Sequence, residues 1–203
     1  MKKIALFALI GIVLMGCQKA NVNENQNVNM EQDLIINCMR TRVSVRAFTG
    51  EKISEEQIQT LLQCAMAAPS AMNHQPWAFI VVTEDSILEQ LGQEFPYSRC
   101  DQKPACAIIP CGDLTKAIQG SEDFWINDVS AATENILLAA HAMGLGAVWT
   151  GLHPNMERAT AAQQLLGLPE YIIPLCIVPV GVPAEQPEIK DKWNTDNIHY
   201  NRW

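Results

Sequence analysis

The sequence predicts one folded domain that contains both α-helices and β-strands. The chain has 203 residues, of which 48% are hydrophobic and 18% charged, which is enough apolar material for a core of ordinary size. Several segments carry apolar residues at the three- and four-residue spacing of a buried helix face. Other, shorter segments are continuous apolar runs, as expected of buried strands.

The predicted helices are bounded by recognisable start and stop signals. Ser54 with Gln57 forms a candidate capping box, and Pro69 stops the helix that follows it. Gly144 stands where a helix commonly ends in a left-handed residue. The predicted helices cover residues 34–42, 54–66, 124–143 and 154–167.

The predicted strands are short apolar runs between these helices. They cover Trp77–Val82, Ala105–Cys111, Ala147–Thr150 and Tyr171–Val180. The last of these is the most apolar, but it contains Pro174 and Pro179, which cannot donate backbone hydrogen bonds. We therefore expect it at a sheet edge or with an irregular end. A polar tail, residues 181–203, ends in aromatic residues and is expected to cover a surface of this chain or of a partner.

Charge and hydropathy argue against two classes of function. The net charge is −8, and no stripe of Lys and Arg with interleaved aromatic residues occurs, so we expect no nucleic-acid partner. No apolar run reaches the roughly 18–20 residues that a transmembrane helix requires.

The first 17 residues have the pattern of an export signal. Lys2 and Lys3 precede an apolar run from Ile4 to Met15, and Leu14 to Cys17 resembles a bacterial lipobox. We expect Cys17 to be lipidated, although a signal with an incidental cysteine is the alternative. The expected localisation is the cell envelope, with a lipid anchor as the only membrane contact. The outer membrane is favoured over the inner, and a cytoplasmic location applies if the signal is not used.

Residues 18–30 are rich in asparagine and poor in large apolar residues, so we expect a disordered tether. The folded domain is then predicted to span residues 31–203.

Common catalytic and metal-binding motifs are absent from the sequence. There is no phosphate-binding P-loop, no complete dinucleotide fingerprint, no nucleophile elbow, and no pair of histidines at metal-ligand spacing. The cysteines form no C-x-x-C motif, and most of them fall in helix or strand patterns as small buried residues. We therefore expect no metal site, and if the protein is an enzyme, a cofactor should carry the chemistry.

Three segments carry residues suited to binding a ligand. Three guanidinium groups, those of Arg40, Arg42 and Arg46, surround the Ser44 hydroxyl in an acidic protein and suggest a bound anion, although a solvated surface with local ion pairs explains them equally well. The loop 68–77 holds amide side chains between two prolines and is suited to the polar rim of a planar heterocycle. Residues 146–151 end a predicted strand on a glycine, where a ligand can approach the backbone closely.

Together with a later segment, these motifs resemble the FMN-dependent nitroreductase family. The resemblance covers residues 31–203, and the motifs occur in the family's order. They are Arg42-x-Ser44-x-Arg46, Pro69-Ser70-x-x-Asn73-x-Gln75-Pro76-Trp77, Gly144-Leu145-Gly146-x-x-Trp149-x-Gly151, and Pro179-Val180-Gly181-x-Pro183 with Lys190-x-Lys192.

The resemblance implies a fold, an assembly and a set of cofactor-binding residues. The fold is an α+β sandwich of α-β-α type around a mixed or antiparallel sheet, and the assembly is an obligate homodimer with two FMN sites at its interface. The implied FMN-binding residues are Arg42, Val43, Ser44, Arg46, Pro69, Ser70, Ala71, Asn73, Trp149, Thr150, Gly151, Lys190 and Lys192.

Each group of these residues has an implied role. The arginines and Ser44 would hold the phosphate, the ribityl chain and the pyrimidine edge, and the two lysines would pair with the phosphate. Pro69, Ser70 and Asn73 would reach the flavin of the other subunit. The backbone at Thr150 and Gly151 would approach flavin N5. No side chain stands out as a general acid, so no catalytic residue is expected.

The implied activity is a two-step transfer of hydride from NAD(P)H through FMN to an electron-poor acceptor such as a nitroaromatic or a quinone. Reductive dehalogenation and flavin fragmentation are alternatives on the same fold. A non-enzymatic envelope lipoprotein that binds a ligand or partner is the alternative from a different class.

Overall fold

The computed structural model describes residues 32–203, and residues 1–31 are not described. The expected signal (1–17), its Cys17 and the expected tether (18–30) lie outside the described residues. The chain divides into two compact units, Met1–Thr41 and Arg42–Trp203. The described part of the first unit is helix α1, residues 32–41, which ends where the sequence predicted. No helix within residues 32–203 combines the length and the apolar character that a bilayer crossing requires.

The second unit contains four further helices and six strands. The helices are α2 (Glu55–Met66), α3 (Asp85–Glu94), α4 (Phe124–Ala142) and α5 (Met156–Leu166). The strands are β1 (Trp77–Val82), β2 (Cys106–Asp113), β3 (Gly146–Ala147), β4 (Thr150–Gly151), β5 (Ile172–Pro174) and β6 (Cys176–Gly181).

The strands form one antiparallel sheet with helices on both faces. Its order is β1-β2-β6-β3, with β5 also beside β2 and β4 also beside β6. Successive residues of β2 face opposite sides, so that Ile108 packs with Leu61 of α2 and Ile136 of α4. Ile109 packs on the other face, in the cluster that contains Leu91 of α3 and residues of α5. The α-β-α sandwich is therefore confirmed, with an antiparallel sheet.

The predicted helix signals act as capping interactions in the structure. The Ser54 hydroxyl accepts a hydrogen bond from the Gln57 N–H at 3.1 Å, and the Gln57 side chain accepts one from the Ser54 N–H at 2.9 Å. At the end of α4, Gly144 adopts φ +73°, and the N–H groups of Gly144 and Leu145 donate to carbonyls of the last turn. This turn directs the chain from α4 straight into β3.

The expectation that Pro179 marks a sheet edge is wrong, because β6 lies between β2 and β3. Its effect is instead to interrupt the neighbouring strand. The register pairs Ala147 with Val180 and Thr150 with Ile177, which places Val148 and Trp149 opposite residues 178–179. Since Pro179 has no N–H to donate, the predicted strand 147–150 is divided there into β3 and β4.

The predicted strand 171–180 is also divided, at a β-bulge. Both β5 and β6 pair with β2, but between the two pairings residues 175–177 oppose only residues 109–110 of β2. The bulge leaves the Leu175 carbonyl to accept hydrogen bonds from the N–H groups of Leu152 and His153, at 3.0 and 3.1 Å. The chain that follows β4 is fixed in this way.

The segment that precedes α2 runs beside β3 at very short range. The Val45 N–H donates to the Ala147 carbonyl at 3.0 Å. A Cβ atom on Gly146 would lie 2.5 Å from Val45 Cγ1, a distance that real side chains do not reach. Glycine at position 146 is therefore required for this approach.

The same segment continues along the residues that follow β6. The Thr49 N–H donates to the Val182 carbonyl, and the Ala184 N–H donates to the Ala47 carbonyl, both at 3.0 Å. Residues far apart in the sequence, 42–49 and 182–185, are thereby joined beside β3.

The contact between Gly146 and Val45 gives a first testable prediction. Gly146→Ala should lower the free energy of unfolding by roughly 1–3 kcal/mol, because the added methyl group overpacks a filled site. Val45→Ala removes the clashing atoms, so the double variant should recover part of that loss in urea denaturation. Gly151→Ala is the control, since its added Cβ would meet no atom closer than 3.9 Å. If the losses of stability in Gly146→Ala and Val45→Ala simply added in the double variant, that result would contradict the contact between the two residues.

The cysteines of the described chain are all free thiols, and most are buried. Burial raises the pKa of Cys100 to about 11 and those of Cys106 and Cys111 to about 12, and it also raises the pKa of Cys176. The buried free thiols are Cys100, Cys106, Cys111 and Cys176.

These four thiols should not react with a disulfide reagent at pH 8 in the folded chain, and they should react fully in 6 M guanidinium. Replacing Cys17, Cys38 and Cys64 by serine leaves only the four buried thiols to react in the assay. Because their folded-state pKa values are raised, the unfolded chain loses these protons first. The free energy of unfolding should therefore fall as pH rises above about 9. Rapid labelling of all four at pH 8 would contradict this burial.

Candidate functional site

The predicted anion-binding residues lie on the segment that runs beside β3. Arg42 donates through Nε to the Glu134 carboxylate of α4 at 3.1 Å, and its side chain is only 18% exposed. Arg46 is exposed, with its guanidinium 3.4 Å from the Ser44 carbonyl. Ser44 and Val43 are half-buried. The segment thus presents one guanidinium paired with a carboxylate and one exposed guanidinium without a carboxylate partner in residues 32–203.

Further donors and cations belong to the residues that follow β6. The Arg46 N–H donates to the Glu185 carboxylate at 2.7 Å. Lys190 and Lys192 are exposed, and within residues 32–203 neither they nor Arg46 forms an ion pair with a carboxylate. Lys190 is five residues beyond Glu185, within about 18 Å of chain. Carboxylate oxygens of Glu134 and Glu185 occupy two donors here, Arg42 Nε and the Arg46 N–H, which leaves the lysine ammonium groups without a carboxylate partner in residues 32–203.

Strand β4 offers accessible backbone near the same edge of the sheet. The Thr150 hydroxyl donates to the Ile177 carbonyl at 2.6 Å, so this side chain is buried and fixed. Gly151 is exposed and has no side chain to block its peptide groups. Trp149 is half-buried against the core. A flat ligand can therefore approach the backbone of residues 150–151.

The loop 69–76 has an unusual backbone. Met72, Asn73 and Gln75 adopt φ values of +51°, +58° and +50°, which cost non-glycine residues roughly 1–2 kcal/mol each. The Ser70 hydroxyl accepts a hydrogen bond from the Gln75 N–H at 3.0 Å, closing the loop on itself. Pro69 and Asn73 are exposed, whereas Ser70 and Ala71 are half-buried.

Two contacts from outside hold this loop in place. The Asp128 carboxylate of α4, itself buried, accepts a hydrogen bond from the Ala71 N–H at 2.9 Å. The His74 ring donates through Nδ1 to the Lys116 carbonyl at 3.1 Å, because a carbonyl can only accept. The loop is therefore anchored to both α4 and the end of β2.

The anchor at the end of β2 is itself built around a buried carboxylate. Burial of Asp113 raises its pKa, but hydrogen bonds from Thr115 and Lys116 outweigh burial and hold the pKa below the ordinary value. Lys116 lies 2.9 Å from the same carboxylate. Asp113 therefore stays ionised and fixes the residue whose carbonyl binds His74.

The structure brings together only part of the predicted set. Residues 42–46, β4 and the residues after β6 lie at one edge of the sheet. The loop 69–76 meets α4 at Asp128, whereas Arg42 meets it at Glu134, about 9 Å further along the axis and a third of a turn around it. Within residues 32–203, no hydrogen bond or ion pair joins that loop to residues 42–46 or to β4. One chain therefore presents two separate half-sites.

The sequence patterns did not indicate the carboxylates that organise these half-sites, Asp113, Asp128, Glu134 and Glu185. One signal was present. Asp128 falls in the apolar stripe of α4 between Trp125 and Val129, where a charged side chain needs a partner.

Known proteins resemble this chain over most of its length. A relative from Archaeoglobus fulgidus, provisionally named NADH dehydrogenase/NAD(P)H nitroreductase, is 42% identical over 166 residues, which are 80% of this chain and 95% of the relative. A crystal structure of a protein with the same provisional name from Parabacteroides distasonis is 38% identical, with a TM-score of 0.78, and the match covers 83% of this chain and 98% of that one. A nitroreductase, also provisionally named, from Desulfovibrio desulfuricans was solved in complex with FMN. It is 26% identical, with a TM-score of 0.73, and the match covers 83% of this chain and 97% of that one.

The expected localisation, a lipid anchor in the cell envelope, is wrong. The matching relatives are named as nitroreductases and dehydrogenases, and neither they nor residues 32–203 give evidence of a signal peptide or a lipid anchor. The expectation rested on the residues Leu14 to Cys17 behind a short apolar run, a pattern with few constrained positions and a high rate of chance matches. The alternative of a non-enzymatic envelope lipoprotein has no support from these relatives either.

The family model described as "Nitroreductase family" matches residues 39–97 and 98–182, which include residues 42–46, the strained loop and the whole sheet. The resemblance inferred from short motifs is thereby confirmed: the chain belongs to the nitroreductase family.

Proposed function

We propose that the chain is an FMN-dependent oxidoreductase that transfers hydride from NAD(P)H to an electron-poor acceptor of the nitroaromatic or quinone type. The observation that carries the proposal is the hydrogen bond from Val45 to Ala147, which fixes the cationic segment 42–46 beside the accessible backbone of β4. The names of the relatives support NAD(P)H as donor, and the FMN complex of a structural neighbour supports the cofactor.

The donor set fits the phosphate of FMN. Arg42 offers a partly buried guanidinium, Ser44 a neutral hydroxyl, and Arg46 an exposed guanidinium, whereas the Arg46 N–H is occupied by the Glu185 carboxylate. Lys190 and Lys192 supply two more positive charges without competing carboxylates in residues 32–203. This combination suits a dianionic group that accepts several hydrogen bonds.

The backbone of residues 149–151 fits the edge of a flavin ring. FMN, when bound, carries two electrons and a proton between the donor and the acceptor, so both use the same cleft in turn. The fixed Thr150 and the open Gly151 would orient the ring and leave one of its faces uncovered. Positive charge from the arginines would stabilise negative charge that develops near the ring. Among the residues of the site, none is assigned as a general acid.

We also propose that the functional unit is a homodimer. The two half-sites of one chain lie at different positions around α4, so the loop 69–76 is placed to contact a cofactor held by a second chain. Large apolar side chains are exposed in one chain, where a second chain can pack against them. Trp193 is 74% exposed and Trp203 is 99% exposed, and in α1 several apolar residues are more than half exposed.

The cofactor assignment is tested by removing two of the proposed phosphate contacts. Purified wild-type protein should be yellow and should oxidise NAD(P)H in the presence of a nitroaromatic. Arg42→Ala with Lys192→Ala should weaken FMN binding roughly 100-fold, because each charge-assisted hydrogen bond contributes about 1.5–3 kcal/mol. Fluorescence quenching of FMN measures the affinity, and circular dichroism confirms the fold.

The matched control is Lys52→Ala with Lys103→Ala. It also removes two positive charges, but from a cleft of about 370 Å³ beside α3 that none of the proposed site residues lines. FMN affinity should remain within about twofold of wild type. A colourless wild-type preparation that FMN cannot reconstitute would refute the proposed function.

The dimer is tested at the aromatic tail. Trp193→Ser with Trp203→Ser should raise the dimer dissociation constant at least tenfold, because a buried tryptophan stabilises an interface by about 2 kcal/mol or more. Sedimentation velocity over a dilution series measures it. Met156→Ser, another half-exposed apolar residue, should leave the constant unchanged. A wild-type chain that sediments as a monomer at micromolar concentration would rule out the dimer.

A further inference from the structure

We infer that Asp128 is a positioning residue for the flavin site. Its carboxylate holds the loop 69–76 in the strained shape that presents Ser70 and Asn73 to the cofactor. The inference rests on the proposed function, because it assigns the loop a flavin as its ligand. Nothing in the family model or the names of the relatives assigns a role to this residue.

Asp128 is a buried carboxylate whose partner is a backbone group. It is 6% exposed on the apolar face of α4, and within residues 32–203 no Lys, Arg or His forms an ion pair with it. Its hydrogen bond from the Ala71 N–H is 2.9 Å long. Burying a carboxylate is unfavourable without such a partner, so the position of the loop and the position of this side chain depend on each other.

The carboxylate caps a turn that its own residues leave uncapped. Ala71–Asn73 form a short helical turn, and Ser70, which precedes it, makes no side-chain cap. The Ser70 hydroxyl is instead occupied by the Gln75 N–H. Asp128 therefore supplies from another helix an acceptor for the first N–H of this turn, that of Ala71.

The strained residues gain no burial in their own chain. Met72 is 80% exposed, and Asn73 and Gln75 are also exposed. Since their side chains do not pack on this chain, contacts within the core do not explain the left-handed backbone. The loop is fixed on its inner side by the buried Asp128 carboxylate, and its outer side chains are exposed. It is therefore suited to contact a molecule outside the chain.

The helix offers a matched control residue, Asn135. It lies on the same face of α4 as Asp128, two turns further along, and is partly buried. Its side-chain amide donates to the Cys64 carbonyl at 2.9 Å and so anchors the end of α2. Like Asp128, Asn135 forms a hydrogen bond from α4 to a backbone group of another element, but that element is α2 and not the loop.

The experiment compares Asp128→Ala, Asp128→Asn and Asn135→Ala in the full chain. Asp128→Ala should weaken FMN binding about tenfold and speed amide hydrogen exchange of residues 71–75 in cofactor-free protein at least tenfold. Asp128→Asn keeps an oxygen acceptor of the same shape, so it should restore most of both losses. Asn135→Ala should lower the melting temperature but leave FMN affinity and exchange of the loop within twofold of wild type.

The outcomes separate this inference from the proposed function. Equal loss of FMN affinity in Asp128→Ala and Asn135→Ala, or unchanged loop exchange in Asp128→Ala, would overturn the positioning role. If Asp128→Ala does not fold, unchanged loop exchange and FMN affinity in Asp128→Leu, which keeps the volume and lacks an acceptor, would overturn it equally. Failure of the wild-type chain to bind FMN overturns the proposed function and the flavin role together. Loop exchange still shows whether Asp128 holds the loop.

Discussion

The close approach of residues 42–49 to the edge of the sheet is the constraint on which the site depends. Position 146 must be glycine, since any Cβ would meet Val45 within 2.5 Å, and the resulting hydrogen bond fixes the arginine segment against β3. The same segment then pairs with residues 182–184, so the part of the chain that leads to Lys190 and Lys192 begins beside it.

Helix α4 connects the two halves of the site and also keeps them apart. It holds Arg42 through Glu134 and the strained loop through Asp128, at positions about 9 Å apart along its axis. Both contacts involve carboxylates, although the ligand expected at the first position is itself an anion. At Glu134 the carboxylate orients a guanidinium, whereas at Asp128 it orients a peptide group. A rigid helix that carries both can set the geometry of two cofactor sites in an assembly of two chains.

The sequence predicted local helix signals more completely than it predicted the sheet. Helix caps such as Ser54 and Gly144 are local interactions, so their residues could be identified without the fold. Helix α3 was not predicted, although Leu88 and Leu91 carry its spacing, because its first turn lacks a side-chain cap. The breaks around Pro179 and Leu175 depend on which strand lies opposite, and single-sequence patterns do not contain that information. Asp128, Glu134 and Glu185 were not predicted for the same reason, because their hydrogen-bond partners are distant in the chain.

These irregularities in the sheet position the site. A regular strand from residue 146 to residue 151 would continue the pairing with β6 along its whole length. Pro179 interrupts that pairing, and the bulge at Leu175 turns its carbonyl towards the N–H groups of Leu152 and His153. Gly151 is thereby held on both sides by fixed residues while remaining exposed itself. Pro179 and the bulge at Leu175 therefore shape the edge of the sheet at which Gly151 lies.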